Sequence, residues 1–231
     1  DRNLLLDYLD HLKADGMQPH RILLTHQHHD HSSAARWLRD TLKIPVAASA
    51  ITKTLLAPTC PVDEVVEDGQ VLEAGERWRL RAIHTPGHAP GHLCFLEEHT
   101  RTLFAGDMIS GHGTILVSPT DGGDMIAYIN SLERLIRDFD FDLMLPAHGG
   151  SFGDPKAALR DLIAHRQQRE EKLLAVAATG VNNLETLVAR TYDDVAPEAL
   201  PYAHLSTLSI LRKLEKEGRL EDLPLTKALT P

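Results

Sequence analysis

A chain of 231 residues with 42% hydrophobic and 25% charged side chains can bury a full core and suits one large domain plus a small one. Its formal net charge of −9 repels a polyanion on average, and no basic tract for nucleic acid is visible. No stretch approaches the roughly eighteen consecutive apolar residues of a membrane span, and the charged, amphipathic opening Asp1 to Lys13 does not have the plan of a signal peptide. A soluble, cytoplasmic protein is expected.

Leu4, Leu5, Tyr8, Leu9 and Leu12 recur at helical spacing and predict an amphipathic helix closed by Gly16 and Pro19. Arg21 to Thr25 holds Ile-Leu-Leu and predicts a short buried strand. After a histidine-rich loop, Ser32 and Ser33 are placed to cap a helix running to about Leu42. Ile44 to Ala48 is a further strand candidate, and Val62 to Val71 continues through a turn at Asp68-Gly69.

Trp78, Leu80, Ala82 and His84 then alternate with Arg77, Arg79, Arg81 and Ile83. His92 to Leu96 and Thr102 to Phe104 flank a turn as a hairpin, so a half-buried sheet is expected. Met125 to Phe139 carries a helical stripe (Ile126, Tyr128, Ile129, Leu132, Leu135, Ile136) and leads into the apolar strand Leu143 to Leu145. From Pro155 the chain turns helical, with a long helix from Ala157 to Ala177 ended by Thr179-Gly180. Leu184 to Tyr192 and Ala203 to Glu217 follow, with Gly218-Arg219-Leu220 as a short strand. This is the plan of a winged helix-turn-helix held by Leu184, Leu187, Leu205, Leu208, Leu211 and Leu214.

Of the 14 histidines, seven fall in the two runs HQHHDH and HTPGHAPGH. A strand that ends in His26-Gln27-His28-His29-Asp30-His31 puts several imidazoles and a carboxylate on one tight loop, and these are ligand types suited to divalent zinc. In Thr85 to His92, Gly and Pro fix a sharp turn that can aim a histidine inward, and only one of His88 and His92 need bind. Leu103 to Asp107 ends an apolar strand in Gly-Asp, and Leu145-Pro146-Ala147-His148-Gly149-Gly150 ends another in histidine. The two cysteines, Cys60 and Cys94, lie far apart and in no CxxC, so they are expected to be reduced packing residues.

HxHxDH, TPGHxxGH, GD and PAHG, in that order, resemble the successive motifs of the metallo-β-lactamase superfamily from Arg21 to about Gly150. The resemblance implies an α/β, αββα sandwich, and it implies that His26, His28 and His88 hold one metal while Asp30, His31 and His148 hold a second. Asp107 would bridge both, leaving His92 to packing or to support of the ligands. His29 has no assigned role. Two zinc ions are expected, with manganese or iron as alternatives; such a pair lowers the pKa of a shared water toward neutrality. Asp30 and Asp107 would then orient the hydroxide as well as hold metal.

Gly106 to Thr114, His165-Arg166 to Arg169-Glu170-Glu171 and the helical tail are similar to the beta-lactamase-like protein 2 group. That places a hydrolase domain at 1–165 and a small winged-helix-like domain at 166–231. It also implies hydrolysis of an ester, thioester or phosphodiester, with the small-molecule (thio)ester favoured by the acidic net charge. The alternative is a single-strand-specific endoribonuclease acting on RNA, because such activity is known in the group; a di-iron redox protein is a minor alternative. Antibiotic hydrolysis is not expected, since lactamases of this fold mostly lack the bridging aspartate. The tail reads equally as a helical cap on the cleft, because Arg212, Lys213, Lys216 and Arg219 are balanced by Glu215, Glu217 and Glu221. The family begins with several strands before its first helix, so roughly 50 residues are expected to precede this chain, leaving an open edge on the first sheet.

Overall fold

The computed structural model describes residues 2–75 and 78–220; Arg77, Glu221 and the chain beyond it lie outside the described residues. Helix α1 (Arg2–Ala14) buries only Leu9. It is followed by β1 (Ile22–Leu23), α2 (His29–Ser32), α3 (Ala35–Leu42), β2 (Val46–Ala48), α4 (Ala50–Leu56) and β3 (Glu64–Val65). The three strands form a parallel sheet in the order β1-β2-β3, with Ile22 opposite Val46 and Ala47 opposite Glu64. Parallel pairing requires long crossovers, and the helices between the strands provide them.

A second sheet has the order β4-β5-β6-β7-β8, built from Val71–Ala74, Trp78–His84, Leu93–Glu97, Thr102–Gly106 and Leu143–Pro146. Its first three pairings are antiparallel, and β8 joins β7 in parallel after the crossover helix α5 (Met125–Asp138). Strands β5, β7 and β8 therefore run in the same direction. Their C-terminal ends share one edge of the sheet, which is where the three later motif loops begin.

Three clusters of buried side chains define the layers. Ala47, Val66, Leu72, Ala82, Leu93 and Phe95 fill the space between the two sheets. Leu24, Val46, Ala48 and Leu56 join the first sheet to its helices. Ile83, Cys94, Leu96, Leu103 and Ala105 pack with residues of α5 and the C-terminal helices on the far side. The expected half-buried alternation is not seen in β5, where Trp78 and Arg79 are both exposed and Leu80 and Arg81 both half-buried. Beyond them, Ala82 and Ile83 face different cores and both are buried, as are all five residues of β6, because helices cover the face that the alternation left to solvent.

The C-terminal helices are α6 (Pro155–Ala177), α7 (Leu184–Thr191) and α8 (Leu200–Lys216). Helix α8 starts earlier than predicted and buries Ala203, Ser206, Thr207, Ile210, Leu211 and Leu214. Leu184, Leu187, Leu211 and Leu214 pack in the core as predicted, but Leu205 and Leu208 are only half-buried, and Ala203, Ser206 and Thr207 take the buried places on that turn of the helix. Gly218 to Leu220 is a helix-ending turn rather than a strand, with Arg219 N–H donating to Leu214 O at 2.8 Å. The predicted Ser32-Ser33 cap is also absent. Helix α3 follows Ala34 with no side-chain cap, while Ser32 Oγ donates to the carbonyls of Gln27 and His28 at 3.0 and 2.9 Å and so ties the histidine loop to itself.

Leu187, Ile210, Leu211 and Leu214 belong to the same core as the second sheet, and the expected division at 165/166 falls inside α6. Leu211→Ala removes a side chain that is 2% exposed and should cost about 2–5 kcal/mol. Scanning calorimetry should then show the main transition moving as one; a separate early melt would show that the tail unfolds independently.

Candidate metal centre

Four strand ends deliver the seven predicted side chains. His26 follows β1, His88 lies on the β5–β6 loop, Asp107 ends β7, and His148 follows β8. The loops interlock by close backbone approaches that glycine permits. A Cβ on Gly87 (φ +141°) would lie 2.2 Å from Tyr128 Cα, and one on Gly149 (φ +87°) would lie 2.6 Å from Gly111 Cα. Gly91 O accepts from Ser49 Oγ at 2.7 Å and from Thr52 Oγ1 at 3.2 Å. Helix α4 thereby anchors the His88 loop; nothing in the local sequence had marked it as a helix.

All seven residues come together. His26 Nε2, His28 Nδ1 and His88 Nε2 are mutually 2.9, 3.2 and 2.8 Å apart. Asp30 Oδ2 lies 3.3 Å from both His31 Nε2 and His148 Nε2, which are themselves 3.3 Å apart. Asp107 stands between these sets, with Oδ2 3.4 Å from His88 Nε2 and Oδ1 3.4 Å from His31 Nε2 and 3.7 Å from His148 Nε2. His29 is exposed.

Buried neighbours set the charges. Burial and the surrounding histidines, His92 first, hold His26 far below the ordinary histidine pKa. Burial also lowers His88, against the opposing pull of Leu116 O and Asp107. For His31 burial acts downward, but Asp107 and Asp30 outweigh it and raise the pKa. Burial resists ionisation of Asp107, yet His31, His88 and His148 keep its pKa below the usual carboxylate value. Asp107 Oδ1 is nevertheless buried without a hydrogen-bond partner. Clustered imidazole nitrogens around a carboxylate with an unsatisfied buried oxygen are what two divalent cations would complete, and the His26-His28-His88 and Asp30-His31-His148 groups each have the spacing to hold one.

The outer nitrogens of the first group are tied as well. His88 Nδ1–H donates to Leu116 O at 2.7 Å, His26 Nδ1 lies 3.0 Å from Thr25 Oγ1, and His28 Nε2 lies 2.6 Å from Asp121 Oδ2 as a charge contact without hydrogen-bond geometry. Such partners fix ring orientation and tautomer. His92 is fully buried and accepts from Asp107 N–H at 3.1 Å through Nε2, while Nδ1 faces Thr85 Oγ1 at 2.8 Å. It holds the Asp107 backbone and stays outside the cluster. Asp121, Thr25 and the Leu116 carbonyl escaped the sequence reading. Asp121 sits in an ordinary Pro-Thr-Asp-Gly turn, and the other two carry no motif. Cys94 Sγ lies 3.3 Å from Thr85 Oγ1, and burial pushes its thiol up to about 12, which removes it from nucleophilic chemistry.

The sequence matches the Metallo-beta-lactamase superfamily over residues 1–148 and the Beta-lactamase associated winged helix domain over residues 184–224. The chain belongs to the metallo-β-lactamase superfamily. It is 31% identical to the Beta-lactamase-like protein 2 homolog of Drosophila melanogaster over 92% of this chain and 75% of that protein. It is 35% identical to the Atrochrysone carboxyl ACP thioesterase of Aspergillus chevalieri over 66% of this chain and 46% of that protein. The chain spans about half the length of several curated relatives it matches, 46% and 48% for two fungal lactamase-like proteins. Among solved structures, a metallo-beta-lactamase family protein from Thermus thermophilus superposes with a TM-score of 0.74 at 25% identity, covering 91% of this chain and 80% of its own. A second, described in a di-iron-bound form, gives 0.57 at 28% identity over 68% of this chain and 82% of its own. No helix among the described residues is long and apolar enough to cross a membrane.

Asp121→Ala should leave the fold intact and weaken metal binding by about 10–100-fold, read by titration against a competing chelator; unchanged affinity would show the contact to be idle. His92, held down to about 3 by burial and by His88, is neutral when folded but protonates near 6.5 when unfolded. The unfolded chain thus binds more protons between those values, and metal-free protein should lose stability as pH falls from about 6.5 to 3, by up to ~1.4 kcal/mol per pH unit for this group. Chemical denaturation across that range, with His92→Gln flattening the slope, checks it.

Proposed function

We propose that the chain is a dinuclear metal-dependent hydrolase, with zinc at both sites and a small-molecule thioester or ester as substrate. The observation that carries this reading is the position of Asp107, whose two carboxylate oxygens face the two histidine groups separately. His26, His28 and His88 would hold one ion, Asp30, His31 and His148 the other, and Asp107 both. Nitrogen and oxygen donors without sulfur suit zinc, and manganese or iron accept the same set. Bound there, a pair of divalent ions supplies Lewis acidity and brings the pKa of water toward neutrality.

The residues of this chain supply the rest. His92 fixes the Asp107 backbone, Leu116 and Asp121 fix the ring faces of His88 and His28, and Asp30 with Asp107 orients the attacking water. His31, protonated more readily than an ordinary histidine, must release its proton when metal enters. The (thio)ester is favoured over RNA because the cations of helix α8 are engaged within the protein. Lys213 pairs with Glu170 at 2.7 Å and Glu217 at 2.9 Å, Lys216 pairs with Asp124 at 2.6 Å, and Arg212 donates to Pro119 O at 2.9 Å. With its cations spent in this way, helix α8 offers no free basic face of the kind phosphate contacts need. The similarity to a thioesterase supports the same choice. We place the hydrolase unit at 1–165 and the winged-helix unit at 166–231.

Asp107→Ala should lower both bound zinc and kcat/KM on an acyl thioester by more than about 100-fold, measured by elemental analysis and thiol release. Turnover and metal content equal to wild type would overturn the proposal.

A further inference from the structure

A cavity of about 460 Å³ lies between the 113–116 segment, helix α6 and the C-terminal helices, lined among others by His165, Arg166, Arg169, Tyr192, Ala203 and Ile210. Its size is that of a small-molecule site, and its walls are mainly apolar. It adjoins the metal centre through one stretch of backbone, since Leu116 lines the cavity and the Leu116 carbonyl also holds His88.

Arg166 is the anomaly in this wall. Its side chain is only 8% exposed, yet no carboxylate among the described residues pairs with it. Nη2 donates to Ile115 O, the guanidinium lies 5.3 Å from the Tyr128 ring centre, and Nε is buried with no hydrogen-bond partner. A guanidinium is a permanent cation, and burying one without a counter-charge is costly. The other basic groups nearby are neutralised. Arg169 forms a two-point pair with Asp194 at 2.7 and 2.9 Å, and burial together with Arg166 and Arg169 pushes His165 down, leaving it uncharged at neutral pH. One positive charge in an apolar chamber calls for one negative charge on an apolar body. A dianionic phosphate would exceed it.

We propose that this cavity is a binding subsite for an apolar acyl group bearing a single carboxylate, with Arg166 as its ion-pairing partner. Naming the ligand an acyl group rests on the (thio)ester reading above; the carboxylate preference rests on Arg166 alone. A ligand seated there lies against the segment that supports His88, so its distal carboxylate would fix which acyl chains reach the metal centre.

The test uses the full chain stripped of metal, so that carboxylate binding to the cations is removed, and follows 4-phenylbutyrate and its neutral amide by ligand-observed NMR. The acid should bind at least tenfold tighter than the amide, and Arg166→Met should abolish that difference. Ala199→Phe, which narrows the cavity from another lining position and leaves Arg166 in place, should block the acid as well; this variant and the acid-to-amide ratio decide the matter if Arg166→Met does not fold. Equal binding of acid and amide, no binding of the acid, or undiminished binding to a folded variant would overturn the proposal. With zinc restored, Arg166→Met should raise KM for a glutaryl thioester at least tenfold over that for a butyryl thioester, with kcat little changed. Acid binding without any thioester hydrolysis would sink the hydrolase reading and leave the subsite standing.

Discussion

The structure depends on the crowding of like groups around Asp107. Imidazole nitrogens from two loops approach within 2.8–3.2 Å of one another, and His31 and His148 close on the other oxygen of the same carboxylate. Among them Asp107 Oδ1 is buried without a hydrogen-bond partner, and such an oxygen costs free energy. The packed loops beneath hold the groups together, and divalent cations between them would make the arrangement favourable. Stability is traded locally for a preorganised binding geometry.

The scaffold provides that rigidity by simple means. Strands β5, β7 and β8 run in one direction, so their C-terminal ends open onto the same edge, and the β1 loop is stitched to them where Leu93 N–H donates to Thr25 O at 2.8 Å. Glycines at 87, 111 and 149 allow backbone to touch backbone. His92 turns one histidine of the TPGHxxGH motif into a brace for Asp107, while its neighbour His88 enters the cluster. Identical side chains four residues apart thus acquire opposite roles from the loop that carries them.

The C-terminal helices do two things for the same site. They complete the main core through Ile210, Leu211 and Leu214, and α6 presents Arg166 behind the 113–116 segment that orients His88. The tail is joined to the metallo-β-lactamase-fold unit through packing and through ion pairs such as Lys216 with Asp124, which also caps α5. A nucleic-acid reader would keep those cations free.

Much of this was legible in the residues. Helix positions, most strand positions and the order of four motif loops follow from periodicity and from Gly and Pro punctuation, which are local properties. The alternation in β5 misled because burial of its second face is decided by helices distant in sequence, and Leu205 and Leu208 on α8 misled because Ala203, Ser206 and Thr207 took the buried places on that turn. By itself the sequence determined which side chains could bind metal and in what order they arrive, since ligand chemistry and turn chemistry belong to single residues and their neighbours. Only the tertiary structure decided that His92 braces the Asp107 backbone, that Asp121 lies against His28, and that Arg166 is left buried without a carboxylate partner. Each of those depends on distances between segments far apart in the chain, which packing sets and local pattern does not encode.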